Sequence, residues 1–192
     1  MNNLKRLAVY CGSASGSRPE FADATRATAS AMLRNGVDLV YGGGRLGLMG
    51  VVADSVLAGG GKVYGVIPKA LVNLEVAHTG VTELQTVETM HERKAQMTEL
   101  ADAFLALPGG IGTLDELFEA WSWNALGYHA KPFAILNVDG FWDQMIHFLD
   151  HVTVSGFMSP ARRAQLLVSD GIGDVIDQLA AATGATEAKM VW

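Results

Sequence analysis

Three segments of this 192-residue chain bring together residue types able to do chemistry, at spacings that would let them act together. The first is Met90-His91-Glu92-Arg93-Lys94, with two cations beside a carboxylate at the start of a helix-like stretch. Cations there oppose the positive end of the helix dipole, so an anionic ligand or a carboxylate partner would help to explain them. The second is Pro108-Gly109-Gly110-Ile111-Gly112-Thr113-Leu114-Asp115-Glu116, a glycine loop that opens another helix. Glycines let such a loop turn with positive φ and leave its N–H groups free to face an anion, while the helix dipole adds about half a positive charge there. The third is Gly42-Gly43-Gly44-Arg45-Leu46-Gly47-Leu48-Met49-Gly50, in which Gly42, Gly44 and Gly47 satisfy G-x-G-x-x-G between a strand and a helix.

Each segment also has a plainer reading. Arg93 and Lys94 fit a solvated charged turn, and the glycines at 42–50 fit a tight turn. Thr113-x-x-Glu116 matches a capping box, in which the glutamate merely accepts from the Thr113 amide; spacing alone leaves that open. A dinucleotide site at 42–47 would need an acid about 20 residues on, at the end of the next strand, to hold a ribose hydroxyl. That strand, Val63 to Ile67, runs into Pro68-Lys69, so NAD is disfavoured. What remains is the general capacity of amides at a helix N terminus to hold a phosphate.

Other candidates carry less. His147 and His151 stand i, i+4 on one helix without a third ligand nearby, a weak metal signal. Trp121 and Trp123, near Phe118, could stack on a purine but suit a core equally well. No serine occupies a G-x-S-x-G elbow, and Cys11 lies inside an apolar run that suggests packing rather than nucleophilic work.

The elements that must position these groups follow from hydrophobic periodicity. Runs 7–11, 37–41, 63–67, 103–107 and 132–137 have the length and apolarity of buried strands, and most end in Gly, Pro or a polar turn. Between them, helical periods cover 19–35, with Pro19 in the first turn and Gly36 as a stop, then 48–58, 89–101, 113–126 and 141–151. The tail suggests a short helix at 160–165, a small strand at 166–168 and a helix at 172–182. Strand followed by helix, repeated, predicts a doubly wound, Rossmann-like α/β fold: one parallel sheet with helices on both faces, in a single domain over 1–192. In such sheets ligands bind outside the carboxyl ends of the strands, where all three chemical segments fall.

Composition agrees. Hydrophobic residues make up 49% and charged ones only 18%, against a usual charged share of about 25%, which excludes disorder and leaves apolar surface for a subunit contact. Of the 22 glycines, twelve fall between Gly12 and Gly65, so either turns are unusually tight there or backbone approaches a ligand. A net charge of −6 without a basic run argues against a nucleic-acid partner. A lone cysteine, no signal-peptide core and no run near the roughly 18 apolar residues of a membrane span predict a cytoplasmic protein without membrane attachment.

Taken in order and spacing, Cys11-Gly12-Ser13, Tyr41-Gly42-Gly43-Gly44 with Gly47-Leu48-Met49-Gly50, Gly65-Val66-Ile67-Pro68, the HERK run and the PGGxGTxxE run resemble the LONELY GUY family, cytokinin riboside 5′-monophosphate phosphoribohydrolases. The resemblance covers nearly all of the chain up to Val168. It implies hydrolysis of the N-glycosidic bond of a purine nucleoside 5′-monophosphate to free base and ribose 5-phosphate, with cytokinin riboside monophosphates and AMP as substrates and neither metal nor cofactor. By the same resemblance Arg93 and Glu116 are the catalytic pair. Cleavage puts positive charge on the ribose, and a carboxylate beside C1′ can stabilise it or orient water.

The resemblance assigns substrate contacts to Glu75, Arg93, Lys94, Gly110, Ile111, Gly112, Thr113, Leu114, Asp115, Glu116 and Ser122, the last usually threonine in relatives. Gly12, Ser13, Gly43, Gly44 and Met49 form a further candidate nucleotide loop. Departures are Ser13-Ala14-Ser15-Gly16, where relatives often have Ser-Ser-Pro-Gly, and Arg45 at a position often small; both bear on substrate preference. Short members of the family are homodimers with active sites near the subunit boundary. Two alternatives stand beside this: a non-catalytic nucleotide carrier of the same fold, and a pyridoxal-phosphate lysine decarboxylase, a label the family widely bears. The latter needs a Schiff-base lysine and a pyridine-nitrogen partner, a constellation not visible here, with Lys94 the nearest lysine.

Overall fold

The structure is a computed structural model that describes residues 3–72 and 76–189, with side chains described as far as residue 184. Along the chain it forms β1 (Arg6–Tyr10), α1 (Pro19–Arg34), β2 (Asp38–Tyr41), α2 (Gly47–Ala58), β3 (Val63–Pro68) and β4 (Glu83–Val87). Then follow α3 (Met90–Leu100), β5 (Ala103–Ala106), α4 (Ile111–Ala125), β6 (Phe133–Leu136), α5 (Asp143–Val154), α6 (Pro160–Arg163), β7 (Leu166–Ser169) and α7 (Ile172–Lys189). All strand pairs are parallel, in the order β4-β3-β2-β1-β5-β6-β7.

The strands read as unbroken apolar runs because both faces of the sheet are covered. Successive side chains point to opposite faces. Leu7, Val9, Leu39 and Tyr41 join one core with Met32, Val52, Val56 and Leu179 from α1, α2 and α7. Ala8, Tyr10, Val40 and Val66 join the other with Met97, Leu117, Trp121 and Leu149 from α3, α4 and α5. β4 is an edge strand with two of its five residues exposed and none fully buried, which explains its weaker apolar pattern.

Helix ends follow local chemistry. Pro19 opens α1, Asn35 closes it, and Gly36 turns away at φ +65°. A capping box holds the start of α3: Glu92 N–H donates to the Thr89 hydroxyl at 3.1 Å, while the Glu92 carboxylate accepts from the Thr89 and Glu88 amides. α4 differs from the expected 113–126. It begins at Ile111 with Gly110 as its cap, so Thr113 and Glu116 lie inside the helix and the capping box that their spacing left open is not the N-terminal device. Among the described residues no helix is long and apolar enough to cross a membrane.

Candidate functional site

The strand order reverses direction between β1 and β5. The chain leaves β1 for α1 on one face and leaves β5 for α4 on the other, so their loops part and open a crevice, the usual ligand position in open α/β sheets. Gly12 N–H donates to the Pro108 carbonyl at 3.1 Å and pins the two loops at the base of that crevice. A cavity of about 330 Å³ opens there. Cys11, Gly12 and Ser13 form one wall; Met49 and Leu71 add apolar surface; Met90 and Arg93 come from α3; Gly110, Ile111, Gly112, Thr113, Asp115 and Glu116 come from α4.

Arg93 is only 4% exposed. Burying a guanidinium requires acceptors for its rigid fan of donors. Nε donates to the Val66 carbonyl at 3.2 Å, Nη2 to the Gly42 carbonyl at 2.7 Å, and Nη1 lies 3.7 Å from the Met90 sulfur. Arg93 thus ties α3 to the ends of β2 and β3 while presenting its head to the cavity. Lys94, next in sequence, turns elsewhere: its Nζ donates to Asp115 at 3.1 Å and to Glu119. Burial disfavours its ammonium form, yet hydrogen bonds and charge from Glu119 and Asp115 outweigh that and raise its pKa.

Glu116 sits one helical turn past the N terminus of α4 and faces the end of β1. Its charge, after burial, helps push the Tyr10 hydroxyl and the Cys11 thiol above their ordinary pKa range, with Glu119 adding to the effect at Tyr10. Cys11 is therefore held as an unreactive thiol beside the cavity. At the start of α4 the amides of Ile111, Gly112 and Thr113 have no intrahelical acceptor by the geometry of a helix end. Ile111 is 83% exposed, and a Cβ added at Gly110 or Gly112 would meet nothing within 4 Å. The site can therefore hold an anion at the helix terminus and set a carboxylate about 7 Å further along the same axis.

The other glycine loop is built differently. At the start of α2, Leu48 N–H and Met49 N–H donate to the Gly12 carbonyl at 2.9 and 3.3 Å, so a protein oxygen takes the position a phosphate would need. Gly43 O accepts from His78 N–H at 2.9 Å, Arg45 N–H donates to Val76 O at 3.0 Å, and Gly44 bridges to Ala77. Gly12, Ser13 and Met49 reach the cavity; Gly43 and Gly44 lie beneath the 76–78 segment instead.

Of the remaining expected contacts, Glu75 falls outside the described residues. Leu114 packs against the core. Ser122 lies in a separate groove with Phe118, Phe157, Met158 and Arg162, away from Arg93 and Glu116. Trp121 is core, while Trp123 meets His91 and Tyr128 edge-on over another surface cavity. His147 and His151 are exposed on α5, and among the described residues no group of three or more His, Cys, Asp or Glu could hold a metal ion. Leu71 and Met90 line the cavity without any chemical signal to mark them; only the position of Met90 beside the HERK cations pointed toward it.

Comparison with known proteins bears directly on this arrangement. Residues 49–179 match the family model described as "Possible lysine decarboxylase". Over 191 residues the chain is 43% identical to the cytokinin riboside 5′-monophosphate phosphoribohydrolase LOG of Oryza sativa subsp. japonica, covering all of this chain and 79% of that protein. It is 43% identical over 178 residues to the cytokinin riboside 5′-monophosphate phosphoribohydrolase LOG7 of Arabidopsis thaliana, covering 93% of this chain and 82% of that one. In three dimensions it is similar to the molybdenum cofactor carrier protein of Chlamydomonas reinhardtii, with a TM-score of 0.71 at 15% identity over 95% of this chain and 99% of the other. A molybdenum cofactor binding protein from Rippkaea orientalis matches at a TM-score of 0.70 and 16% identity over 94% and 98% of the two chains. At such identities the structural likeness speaks for the fold, whereas the sequence kinship with the phosphoribohydrolases spans nearly the whole length of the chain: the protein belongs to the LONELY GUY family.

Proposed function

We propose that this protein hydrolyses the N-glycosidic bond of cytokinin riboside 5′-monophosphates, and of AMP, to free base and ribose 5-phosphate. One observation carries the reading: a single helix, α4, offers both an open N terminus for a phosphate and the Glu116 carboxylate one turn on, in one cavity with Arg93. A 5′-phosphate on the amides of Gly110 to Thr113 lays the ribose along α4 toward Glu116. There the carboxylate stabilises the oxocarbenium character of the transition state and orients the attacking water. Arg93, fixed by two backbone carbonyls, holds its remaining donor face toward substrate and carboxylate.

Gly12, Ser13 and Met49 complete the nucleotide wall. We place Gly43 and Gly44 in support of that wall, and Ser122 on a subunit contact. Phe157 lines the Ser122 groove and is 89% exposed, Phe148 and Val154 are exposed on α5, and a homodimer would cover them. The chain 1–192 acts as one nucleotide-binding domain in the cytoplasm, where Cys11 stays reduced. Lysine decarboxylation fits poorly. No lysine lines the cavity among the described residues, and the doubly paired, firmly charged Lys94 is the opposite of an imine-forming amine.

The test is chromatographic. Incubated with isopentenyladenosine monophosphate or AMP, the protein releases the free base, and Glu116→Gln lowers release by about 10²–10³-fold with an unchanged fold. Equal rates in the variant would remove Glu116 from the mechanism. Nucleotide bound without release identifies a carrier instead.

A further inference from the structure

We infer that His78 is a positioning residue: latched to Asp54 on α2, its imidazole holds the crossover from β3 to β4, and through it the Gly42-Gly43 turn that anchors Arg93. This rests on the phosphoribohydrolase reading and extends it to a residue that does not line the cavity.

Parallel neighbours in a sheet need a crossover of about a dozen residues or more, usually a helix. From β3 to β4 the chain crosses over residues 69–82 with a 3₁₀ turn at Lys69–Leu71, and it is the one crossover with no α-helix among its described residues. Irregular backbone of this kind has to find its hydrogen-bond partners elsewhere. It finds them on the first glycine loop: His78 N–H donates to the Gly43 carbonyl at 2.9 Å, Arg45 N–H donates to the Val76 carbonyl at 3.0 Å, and Gly44 bridges to Ala77. Ala77 N–H donates to the Val72 carbonyl at 2.9 Å, next in the chain to Leu71, which lines the cavity.

A buried side chain fixes this contact. His78 is 5% exposed, and burying an imidazole requires partners for both ring nitrogens. Nδ1 accepts from Gly80 N–H at 3.3 Å, so the ring proton is on Nε2, which donates to the Asp54 carboxylate at 2.9 Å. A charge-assisted hydrogen bond therefore ties the crossover to α2. The side chain of Asp54 is 60% exposed, so removing it breaks the bond without emptying a core.

The latch lies one peptide away from the chemistry. Gly43 receives the His78 amide, and the carbonyl of the preceding Gly42 receives Arg93 Nη2 at 2.7 Å. Gly43 adopts φ +77°, and a Cβ there would stand 3.0 Å from Leu84 and 3.1 Å from Ile67, so the turn is packed against β3 and β4 while it holds the crossover. A turn held in this way presents the Gly42 carbonyl in one orientation. When the crossover loosens, Leu71 and the Arg93 anchor lose support together, whereas the phosphate seat on α4 is untouched. The effect therefore falls on kcat rather than KM.

Steady-state kinetics of the full chain with isopentenyladenosine monophosphate, well below its melting temperature, test this. Asp54→Ala lowers kcat about tenfold with KM within about threefold, while Asp54→Asn, which still accepts from Nε2–H, keeps kcat within about threefold of the wild type. His78→Ala repeats the loss, and if it fails to fold the two Asp54 variants still decide. A merely structural role predicts a lower melting temperature in Asp54→Ala with kcat unchanged, and that result overturns the inference. An equal loss of kcat in Asp54→Ala and Asp54→Asn overturns it too, as does a rise in KM alone.

Hydrogen exchange followed by NMR reads the latch without turnover. In Asp54→Ala the His78 amide and the Arg93 Nε–H exchange about tenfold faster than in the wild type; an unchanged rate at Arg93 overturns the inference. A wild-type protein that cleaves no nucleotide counts against the hydrolase reading and leaves this readout standing.

Discussion

The two glycine loops of this protein look alike in sequence and do opposite work. Each follows a strand, each opens a helix, and each contains G-x-G. At 42–50 the missing Cβ atoms make room for the protein itself: a Cβ at Gly42 would sit 2.0 Å from Arg93 Nη2, at Gly47 2.4 Å from the Ser13 carbonyl carbon, and at Gly50 2.1 Å from the Arg45 carbonyl oxygen. The helix end there is filled by the Gly12 carbonyl. At 110 and 112 the same absence leaves open space at the helix end, where the first amides have no intrahelical acceptor. Only the second loop leaves a helix end open, and the first is packing.

That contrast can be broken first at Gly47. It adopts φ +57°, and the atoms a Cβ would strike are Ser13 and Ala14 backbone, which cannot swing aside. Gly47→Ala is expected to lose about 3–4 kcal/mol of stability, from left-handed backbone strain plus overpacking, read as a lower urea midpoint. A loss below about 1 kcal/mol would mean that the first loop has slack and the contrast is overstated. Gly42→Ala comes next. Its Cβ meets the mobile end of a side chain, so Arg93 shifts and gives up its bond to the Gly42 carbonyl, for about 2 kcal/mol together with a fall in kcat. Unchanged kcat would show that the Arg93 anchor is structural alone.

Much of this was legible from residue order. The parallel sheet follows from five apolar runs separated by helical periods, and the missing acid after Ile67 turned the first loop away from a dinucleotide. Three points were not legible, for physical reasons. Thr89-x-x-Glu92 and Thr113-x-x-Glu116 are the same pattern, but only the first caps a helix, because Gly110 caps α4 three residues ahead of Thr113 and carries Glu116 inward. Nor does glycine content reveal what a Cβ would meet, since that is decided by residues distant in sequence such as Ser13 and Arg93. Lys94 is a third case: a cation beside Arg93 reads as part of one anion site until the helix places the two side chains on different neighbours.

The smallest effect is the most discriminating, because it separates the loops without any loss of fold. Gly112 lies in the first turn of α4, lines the cavity and has nothing within 4 Å of its absent Cβ. Alanine suits a helix better than glycine by up to about 1 kcal/mol, less near an end, so Gly112→Ala should match or slightly exceed the wild-type melting temperature. Its methyl group would nonetheless stand where a phosphate approaches the amides. The expected result is a KM for nucleoside 5′-monophosphate raised about tenfold, the worth of one hydrogen bond of about 1.4 kcal/mol. If Gly112→Ala instead lost stability and kept its KM, it would be behaving as Gly42 and Gly47 do, and the open end of α4 would be a second packing loop rather than the phosphate seat.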